Sequence, residues 1–102
     1  MVKIDPGDKG GLKINVGRRL KQLREAHSLD QTPFGNSIGL SQPRYSQYET
    51  GERLLPTPVA IKICEEFAVT LDWLYRGDPN GLPGDLRDRI RVVRSRGNHP
   101  LR

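Results

Sequence analysis

The stretch from residue 31 to residue 49 constrains the fold more than any other part of the sequence. Its apolar residues fall on both sides of Gly39, at positions where two short helices can face each other across a tight turn. Gly39 allows the sharp turn because it has no Cβ, and Gly35 leaves room where the helices come closest. The apolar residues are Phe34, Ile38, Leu40, Tyr45 and Tyr48. The stretch therefore predicts two helices, over about residues 31–38 and 42–49.

Apolar residues at helical spacing predict three further short helices. The first covers about residues 16–27, the second follows Thr57 and Pro58, and the third covers about residues 71–75. Alternating strand patterns and internal repeats are absent from the sequence, so the predicted fold is all-α with five short helices. The predicted N-caps of the five helices are Asn15, Asp30, Ser41, Thr57 and Thr70.

Three segments differ in composition and predict the domain organisation. Residues 1–14 hold glycines and a proline among charges, without an apolar face, and are predicted to form a flexible arm. Residues 15–78 contain the five helices and form the predicted domain. Residues 79–102 form a basic, Arg-rich tail, in which 85–95 could be a helix with apolar residues on one side. These apolar residues are Leu86, Ile90 and Val93.

The charge is unevenly distributed along the chain. The formal net charge of +5 suggests a polyanionic partner. Residues 15–53 carry six basic and four acidic groups, whereas residues 54–81 carry two basic and four acidic groups. Residues 82–102 carry six arginines against Asp85 and Asp88. One end of the fold is therefore expected to face phosphates, and the other is not.

Several function classes are disfavoured by composition. The chain has no apolar run of the roughly 18 residues that a membrane span needs, and its start does not look like a secretory signal. The single Cys64 cannot form an intramolecular disulfide, which favours a reducing cytoplasm. His27 and His99 lie far apart without a neighbouring cysteine, so no metal or cofactor is predicted. The chain lacks clustered acids, bases and nucleophiles, so an enzyme is not expected.

Four stretches of the sequence resemble the Cro/phage-repressor type of helix-turn-helix, the XRE family, and the resemblance covers about residues 15–78. It implies a repressor-like DNA-binding domain. The sequence departs from the family at Asp30, Gly35 and Pro43, where the family usually has Thr, Ala and a polar residue. The four stretches are Leu29-Asp30-Gln31, Gly39-Leu40-Ser41-Gln42, Ser46-Gln47-Tyr48-Glu49-Thr50-Gly51 and Val69-Thr70-Leu71-Asp72-Trp73-Leu74-Tyr75-Arg76-Gly77.

The resemblance implies that the helix over 42–49 lies in the major groove of double-stranded DNA. Gln42 and Gln47 are suited to reading adenine, because a carboxamide both donates and accepts, and Arg44 can reach guanine or a phosphate. Pro43 occupies the remaining position expected to face the bases. Gln31 resembles the family's phosphate clamp at a helix start. The other residues expected to contact phosphates are Arg18, Arg19, Lys21, Ser46, Thr50 and Arg53.

The resemblance also implies an ion pair between Arg24 and Glu49, which would tie the first helix to the reading helix. Each of these charged residues follows a core position, Leu23 or Tyr48, so each is expected to lie partly out of water. An unpaired charge there would be costly, and a guanidinium can satisfy a carboxylate with two parallel hydrogen bonds. We therefore expect a bidentate contact of about 2.7–3.0 Å.

The expected partners are an operator and a second copy of the chain. A single module makes few contacts, so a homodimer on a short inverted repeat is expected, with repression as the outcome. The tail over 79–102 could be solvated, could contact DNA or could help the dimer. An antitoxin-like protein, whose tail binds another protein while the helix-turn-helix autoregulates, is the alternative. The dimer candidates are Trp73, Leu74, Tyr75 and Arg76, with Leu86, Ile90 and Val93 as additional ones.

Overall fold

Helices make up all the regular secondary structure of residues 11–98, the part of the chain that the computed structural model describes. The element order agrees with the predicted all-α fold, with one helix more than the five predicted. The elements are α1 (Gly11–Ala26), α2 (Gln31–Ser37), α3 (Gln42–Glu49), α4 (Thr57–Phe67), a single π-helical turn (Asp72–Arg76) and α5 (Gly84–Asn98).

The two central helices form where the sequence predicts them. Gly39 has a φ of 80°, and the amide of Leu40 bonds the carbonyl of Gly35 at 2.8 Å, which closes the turn after α2. The Ser41 hydroxyl accepts from the amide of Arg44 at 3.3 Å and caps α3 as expected. Asp30 is the N-cap of α2, but its side chain makes no capping bond.

α1 begins earlier than predicted. Asn15 lies inside α1 and is not its cap; its side-chain oxygen accepts instead from Arg18 at 2.9 Å. Ile14 lies against Gly51 in the turn after α3, so the added first turn packs on the domain. The predicted arm over residues 1–14 is therefore wrong for 11–14, and its first ten residues lie outside the described part of the chain.

The other two predicted caps differ in outcome. Thr57 is the first residue of α4 and Pro56 is its N-cap, one residue earlier than predicted. Thr70 does cap the following element, since its hydroxyl accepts from the amide of Trp73 at 3.0 Å. That element is a π turn which ends at Gly77, with a φ of 80°.

Aromatic side chains link the helices at the centre of the core. Phe34 stacks on Phe67 with ring centroids 4.5 Å apart, and Phe34 also packs against Tyr45 at 5.0 Å. His27 packs on the other side of Phe67 at 5.0 Å, and its buried Nε2 has no hydrogen-bond partner among the described residues. Burial, aided by the charge of Arg89, lowers the pKa of His27, so the neutral imidazole is favoured in the core.

α5 belongs to the same core and is not a detached tail. Its apolar stripe packs on α1, and Arg89 donates to the carbonyl of Ala26 at 3.3 Å. The apolar spacing of four and three residues overrides the polar composition of this segment. The predicted boundary after residue 78 is therefore not a boundary of the core, and residues 99–102 lie outside the described part. The buried residues are Leu82, Leu86, Ile90 and Val93.

Gly17 marks the closest approach between α1 and α3. A Cβ at this position would overlap the carbonyl oxygen of Glu49 and lie 2.8 Å from that of Tyr48. Both atoms belong to the backbone at the end of α3, so they cannot move aside as a flexible side chain would. Only glycine allows α1 to lie this close to α3.

We expect Gly17→Ala to destabilise the domain by about 1–3 kcal/mol, because overpacking outweighs the gain of roughly 1 kcal/mol from the better helix former. Gly84→Ala is the matched control, since a Cβ at the start of α5 would meet no atom within 4 Å. Urea unfolding of the two variants and the parent measures the difference. Equal unfolding midpoints for Gly17→Ala and the parent would contradict the close approach.

Candidate nucleic-acid interface

α3 has a buried side and an exposed side. Tyr45 and Tyr48 are buried in the core and anchor the helix. Pro43 and Arg44 are exposed, and the polar residues Gln42, Ser46 and Gln47 are half-buried. The residues predicted to read bases therefore lie on α3 without being buried, in one short helix held by two tyrosines.

The ion pair expected between Arg24 and Glu49 is present and bidentate. Arg24 donates from Nε to Glu49 Oε2 at 2.8 Å and from Nη2 to Oε1 at 3.0 Å. The two side chains are only 12% and 7% exposed. Arg24 also donates from Nη1 to the carbonyl of Leu29 at 3.0 Å, so its guanidinium also fixes the connection between α1 and α2.

Two more donors converge on the Glu49 carboxylate. The Tyr45 hydroxyl donates to Oε2 at 2.6 Å, and Gln31 donates from Nε2 to Oε1 at 2.8 Å. Burial alone would raise the pKa of Glu49, but the hydrogen bonds from Arg24, Tyr45 and Gln31 hold that pKa below its usual value. The carboxylate is therefore charged at neutral pH and joins residues of α1, α2 and α3.

This network extends to the first residue of α3. A carboxylate only accepts, so the amide nitrogen of Gln31 must face Glu49 and its oxygen must face the other way. That oxygen accepts from Gln42 Nε2 at 2.7 Å. Gln42 keeps one N–H and its carboxamide oxygen, the pair of groups that adenine requires. The buried charge thus sets the orientation of a candidate base-reading amide, through contacts that sequence analysis did not identify.

The other candidate base-reading residues differ in chemistry. Arg44 is exposed and free to reach a guanine edge or a phosphate. Pro43 has no side-chain donor or acceptor, so it can contribute only apolar contact, for example with a thymine methyl group. The backbone after α3 folds over Gln47, whose carbonyl accepts from the Thr50 hydroxyl at 3.3 Å and the Arg53 amide at 3.0 Å.

Most of the candidate phosphate contacts are accessible. Arg18 and Lys21 are exposed on α1, and Thr50 and Arg53 are exposed after α3. Ser46 is half-buried on α3 itself. A ligand can reach these four exposed side chains, of which Arg18 already bonds Asn15 and the Thr50 hydroxyl already bonds the carbonyl of Gln47.

Arg19 departs from the predicted role of a phosphate contact. Its Nη1 donates to the carbonyl of Leu74 at 2.9 Å, and its guanidinium lies against Gly77. Burial, together with the charge of Arg18, lowers the pKa of Arg19. Its guanidinium is therefore engaged in tying α1 to the π turn, which corrects the prediction.

The predicted dimer surface is largely wrong. Trp73 and Leu74 are 3% and 0% exposed in the chain's own core, so they cannot form a surface for another copy. Tyr75 is half-buried and donates to the carbonyl of Leu55 at 2.7 Å, while Arg76 is exposed. The additional candidates Leu86, Ile90 and Val93 are buried under α1 as well. The apolar residues that sequence analysis missed as a surface are Leu54, Ile61 and Leu71, each about two fifths exposed.

Residues 11–98 contain neither clustered metal ligands nor a long apolar helix. No three His, Cys, Asp or Glu side chains in this part of the chain lie together as metal ligands. None of the described helices is long and apolar enough to cross a membrane.

The fold and the exposed polar side of α3 define a helix-turn-helix domain. A family model described as helix-turn-helix matches residues 20–74, more than half of the chain. The chain therefore belongs to the helix-turn-helix family, and the XRE-type resemblance of the sequence is confirmed.

Curated relatives place the chain among regulators. Antitoxin PezA of Streptococcus pneumoniae is 31% identical over 84% of this chain and 56% of the antitoxin. An uncharacterised transcriptional regulator in the ATPase CF(0) region of Rhodospirillum rubrum is 33% identical over 64% of each chain. The uncharacterised HTH-type transcriptional regulator YqaE of Bacillus subtilis is 33% identical over 60% of this chain and 53% of YqaE. The chain thus spans between half and two thirds of these relatives, and no solved structure matches it.

We expect Arg24→Ala to cost about 3–5 kcal/mol of stability, because it leaves the buried Glu49 carboxylate without its cation. Arg76→Ala is the control, since Arg76 and Asp72 are each 63% exposed and 3.6 Å apart. Such a surface pair contributes less than about 1 kcal/mol. Thermal and urea unfolding separate the two variants. An Arg24→Ala protein that unfolds like the parent would show that the pair does not hold α3.

Proposed function

We propose that this protein is a sequence-specific regulator of transcription that binds double-stranded DNA with α3 in the major groove. The observation that carries the proposal is the hydrogen-bonded series from Glu49 through Gln31 to Gln42, which orients an amide at the start of the helix. A preorganised amide loses little entropy on binding and therefore discriminates between bases. The protein acts in the bacterial cytoplasm as a repressor that occludes polymerase.

The side chains of α3 divide the reading of the bases among them. Gln42 and Gln47 pair with adenines, Arg44 pairs with guanine or a phosphate, and Pro43 touches a thymine methyl group. The XRE family usually has a polar residue where this chain has Pro43, so an apolar contact replaces a hydrogen bond there. This arrangement predicts a half-site in which the base opposite Pro43 is specified more weakly than its neighbours.

Phosphate contacts fix the position of the helix without carrying sequence information. Arg18 and Lys21 on α1 supply charge, and Thr50 and Arg53 supply a hydroxyl and a charge beyond the end of α3. Ser46 contacts the backbone closest to α3, and Gln31 contributes only its second side-chain N–H, because Glu49 and Gln42 engage the rest of its amide. Arg19 is left out, because the carbonyl of Leu74 already holds its guanidinium.

The protein binds an inverted repeat as a homodimer through an apolar patch of α4 and the π turn. Thr57, Ile61 and Cys64 follow one another at helical spacing on α4, and Tyr75 lies next to Thr57 and Cys64. Ile61 is 43% exposed and Leu71, one turn before Tyr75, is 38% exposed. An inverted repeat with half-sites one helical turn apart requires a two-fold contact that holds two copies of α3 about 34 Å apart.

Selection of bound duplexes from a random pool gives the cognate site, and titrations then test the roles. We expect Gln42→Ala and Gln47→Ala each to lose about 1–3 kcal/mol of binding free energy on the cognate site and little on scrambled DNA. Lys21→Ala should lower the affinity for both duplexes alike. It should also reduce the slope of log affinity against log salt concentration by about one. Equal losses on cognate and scrambled DNA for the Gln variants would refute base reading by α3.

Ile61→Glu tests the dimer patch, because it places a charge on an apolar contact near other acidic residues. We expect weaker self-association and about tenfold lower affinity for the full inverted repeat, with an unchanged affinity for a half-site. Val92→Glu is the control, since Val92 is 55% exposed on α5, away from the patch. Sedimentation at several concentrations measures the association. If Ile61→Glu still dimerises like the parent, this patch is not the interface.

A second function is favoured by one comparison. The match to Antitoxin PezA covers 84% of this chain, more than the helix-turn-helix stretch alone. In this alternative, the chain neutralises a partner protein while its helix-turn-helix regulates its own transcription. Co-purification of a partner that depends on residues 79–102, and not on α3, would favour this alternative.

A further inference from the structure

Three arginines form a row along one side of α5. Arg87, Arg91 and Arg94 are spaced by four and three residues, so they lie on one side of the helix. We call these three residues the arginine stripe. All three border a pocket of about 130 Å³. The apolar residues lining this pocket are Trp73, Pro79, Leu82 and Ile90.

The arginine stripe contributes little to the stability of the fold. A different set of α5 residues makes the buried contact with α1, as described above. Arg91 has an acidic neighbour in Asp88, but the atoms are 3.6 Å apart and both side chains are about 70% exposed. Like charges at this spacing disfavour a helix by a few tenths of a kcal/mol each. An anionic partner would remove this repulsion.

The arginine stripe lies away from the surface proposed to bind DNA. On α1, Gly17 packs against α3 while Arg19 reaches the π turn. These two positions are about 200° apart around the helix, since each residue turns it by about 100°. The arginine stripe borders Trp73 of that π turn, so α1 separates it from α3. A duplex held by α3 therefore does not explain the arginines.

We propose that the arginine stripe and its pocket bind an acidic segment of a partner protein. Carboxylates of the segment pair with the guanidiniums, whose planar fork matches them with two hydrogen bonds each. One apolar side chain of the segment enters the pocket, whose volume is comparable to the roughly 150 Å³ of a cavity that holds benzene. DNA phosphates match the arginines but have no apolar group to place in the pocket, where Pro79 is exposed above the buried Trp73 and Leu82.

This inference rests on the alternative function proposed above, in which the chain binds a partner protein. It adds the surface that binds the partner and the chemistry of the partner. The peptide-binding assay contains no DNA, so peptide binding can fail while DNA binding by α3 stands. The reverse also holds, because loss of DNA binding leaves the arginine stripe unchanged.

Peptide selection against the full chain tests the proposal. Random 12-residue peptides displayed on phage are selected on the parent and counter-selected on a double variant, Arg91→Gln with Arg94→Gln. We expect the enriched peptides to carry several Asp or Glu around one apolar residue. The most enriched peptide is then made with a fluorescein label and titrated into each protein by anisotropy.

We expect Arg91→Gln and Arg94→Gln each to lower the affinity for the labelled peptide by about 3–10-fold, and more at low salt. Arg91→Lys keeps the charge but loses the fork, so its loss should be smaller. Arg96→Gln is the matched control, because Arg96 is equally exposed but lies on the opposite side of α5, near Glu25 and Asp88. Urea unfolding midpoints equal to the parent's show that the variants are folded.

Three results would overturn the proposal. The first is the absence of acidic peptides from the selection, or enriched peptides that bind the double variant as well as the parent. The second is a double variant that loses DNA affinity as strongly as Lys21→Ala, which would make the arginine stripe a DNA contact. The third is a double variant that sediments as a monomer where the parent is a dimer, which would make a second copy the occupant.

Discussion

The charged carboxylate of Glu49 is the interaction on which the arrangement of the helix-turn-helix depends. A charge this far out of water must be paired and hydrogen-bonded, and its partners come from α1, from the start of α2 and from α3 itself. Apolar packing has no preferred direction, so the core alone would allow α3 to rotate or slide by small amounts. The directional bonds at Glu49 remove that freedom and orient the polar side of α3.

The distance between α1 and α3 and the orientation of α3 are set by different residues. Gly17 fixes how closely α1 approaches the end of α3, because any larger residue would meet backbone carbonyls. Arg24, one side of the ion pair, fixes the rotation of α3 about that contact. The stacked rings of Phe34 and Phe67 hold α2 to α4. A change at any of these positions would displace α3 without touching a single exposed residue of the interface.

Local signals predicted the centre of the fold, and long-range contacts explain the errors. Gly39 and Ser41 determine where α2 ends and α3 begins by bonds within a few residues, so the sequence suffices. The sequence around Arg19 predicts a surface cation. Its partner, the carbonyl of Leu74, is 55 residues away in the sequence, so no local pattern indicates the contact. The apolar spacing around Trp73 predicts a helix with one covered side, but periodicity does not say whether the covering surface belongs to the same chain or to another copy.

The same ambiguity affected α5, where an Arg-rich composition suggested a tail while its apolar spacing indicated a helix with one buried side. Both signals are real, because a helix can bury one stripe and expose a basic one. The consequence is a chain with two basic surfaces on opposite sides of α1. The proposed DNA surface and the proposed partner surface are connected by α1, which contacts α3 at Gly17 and the π turn through Arg19.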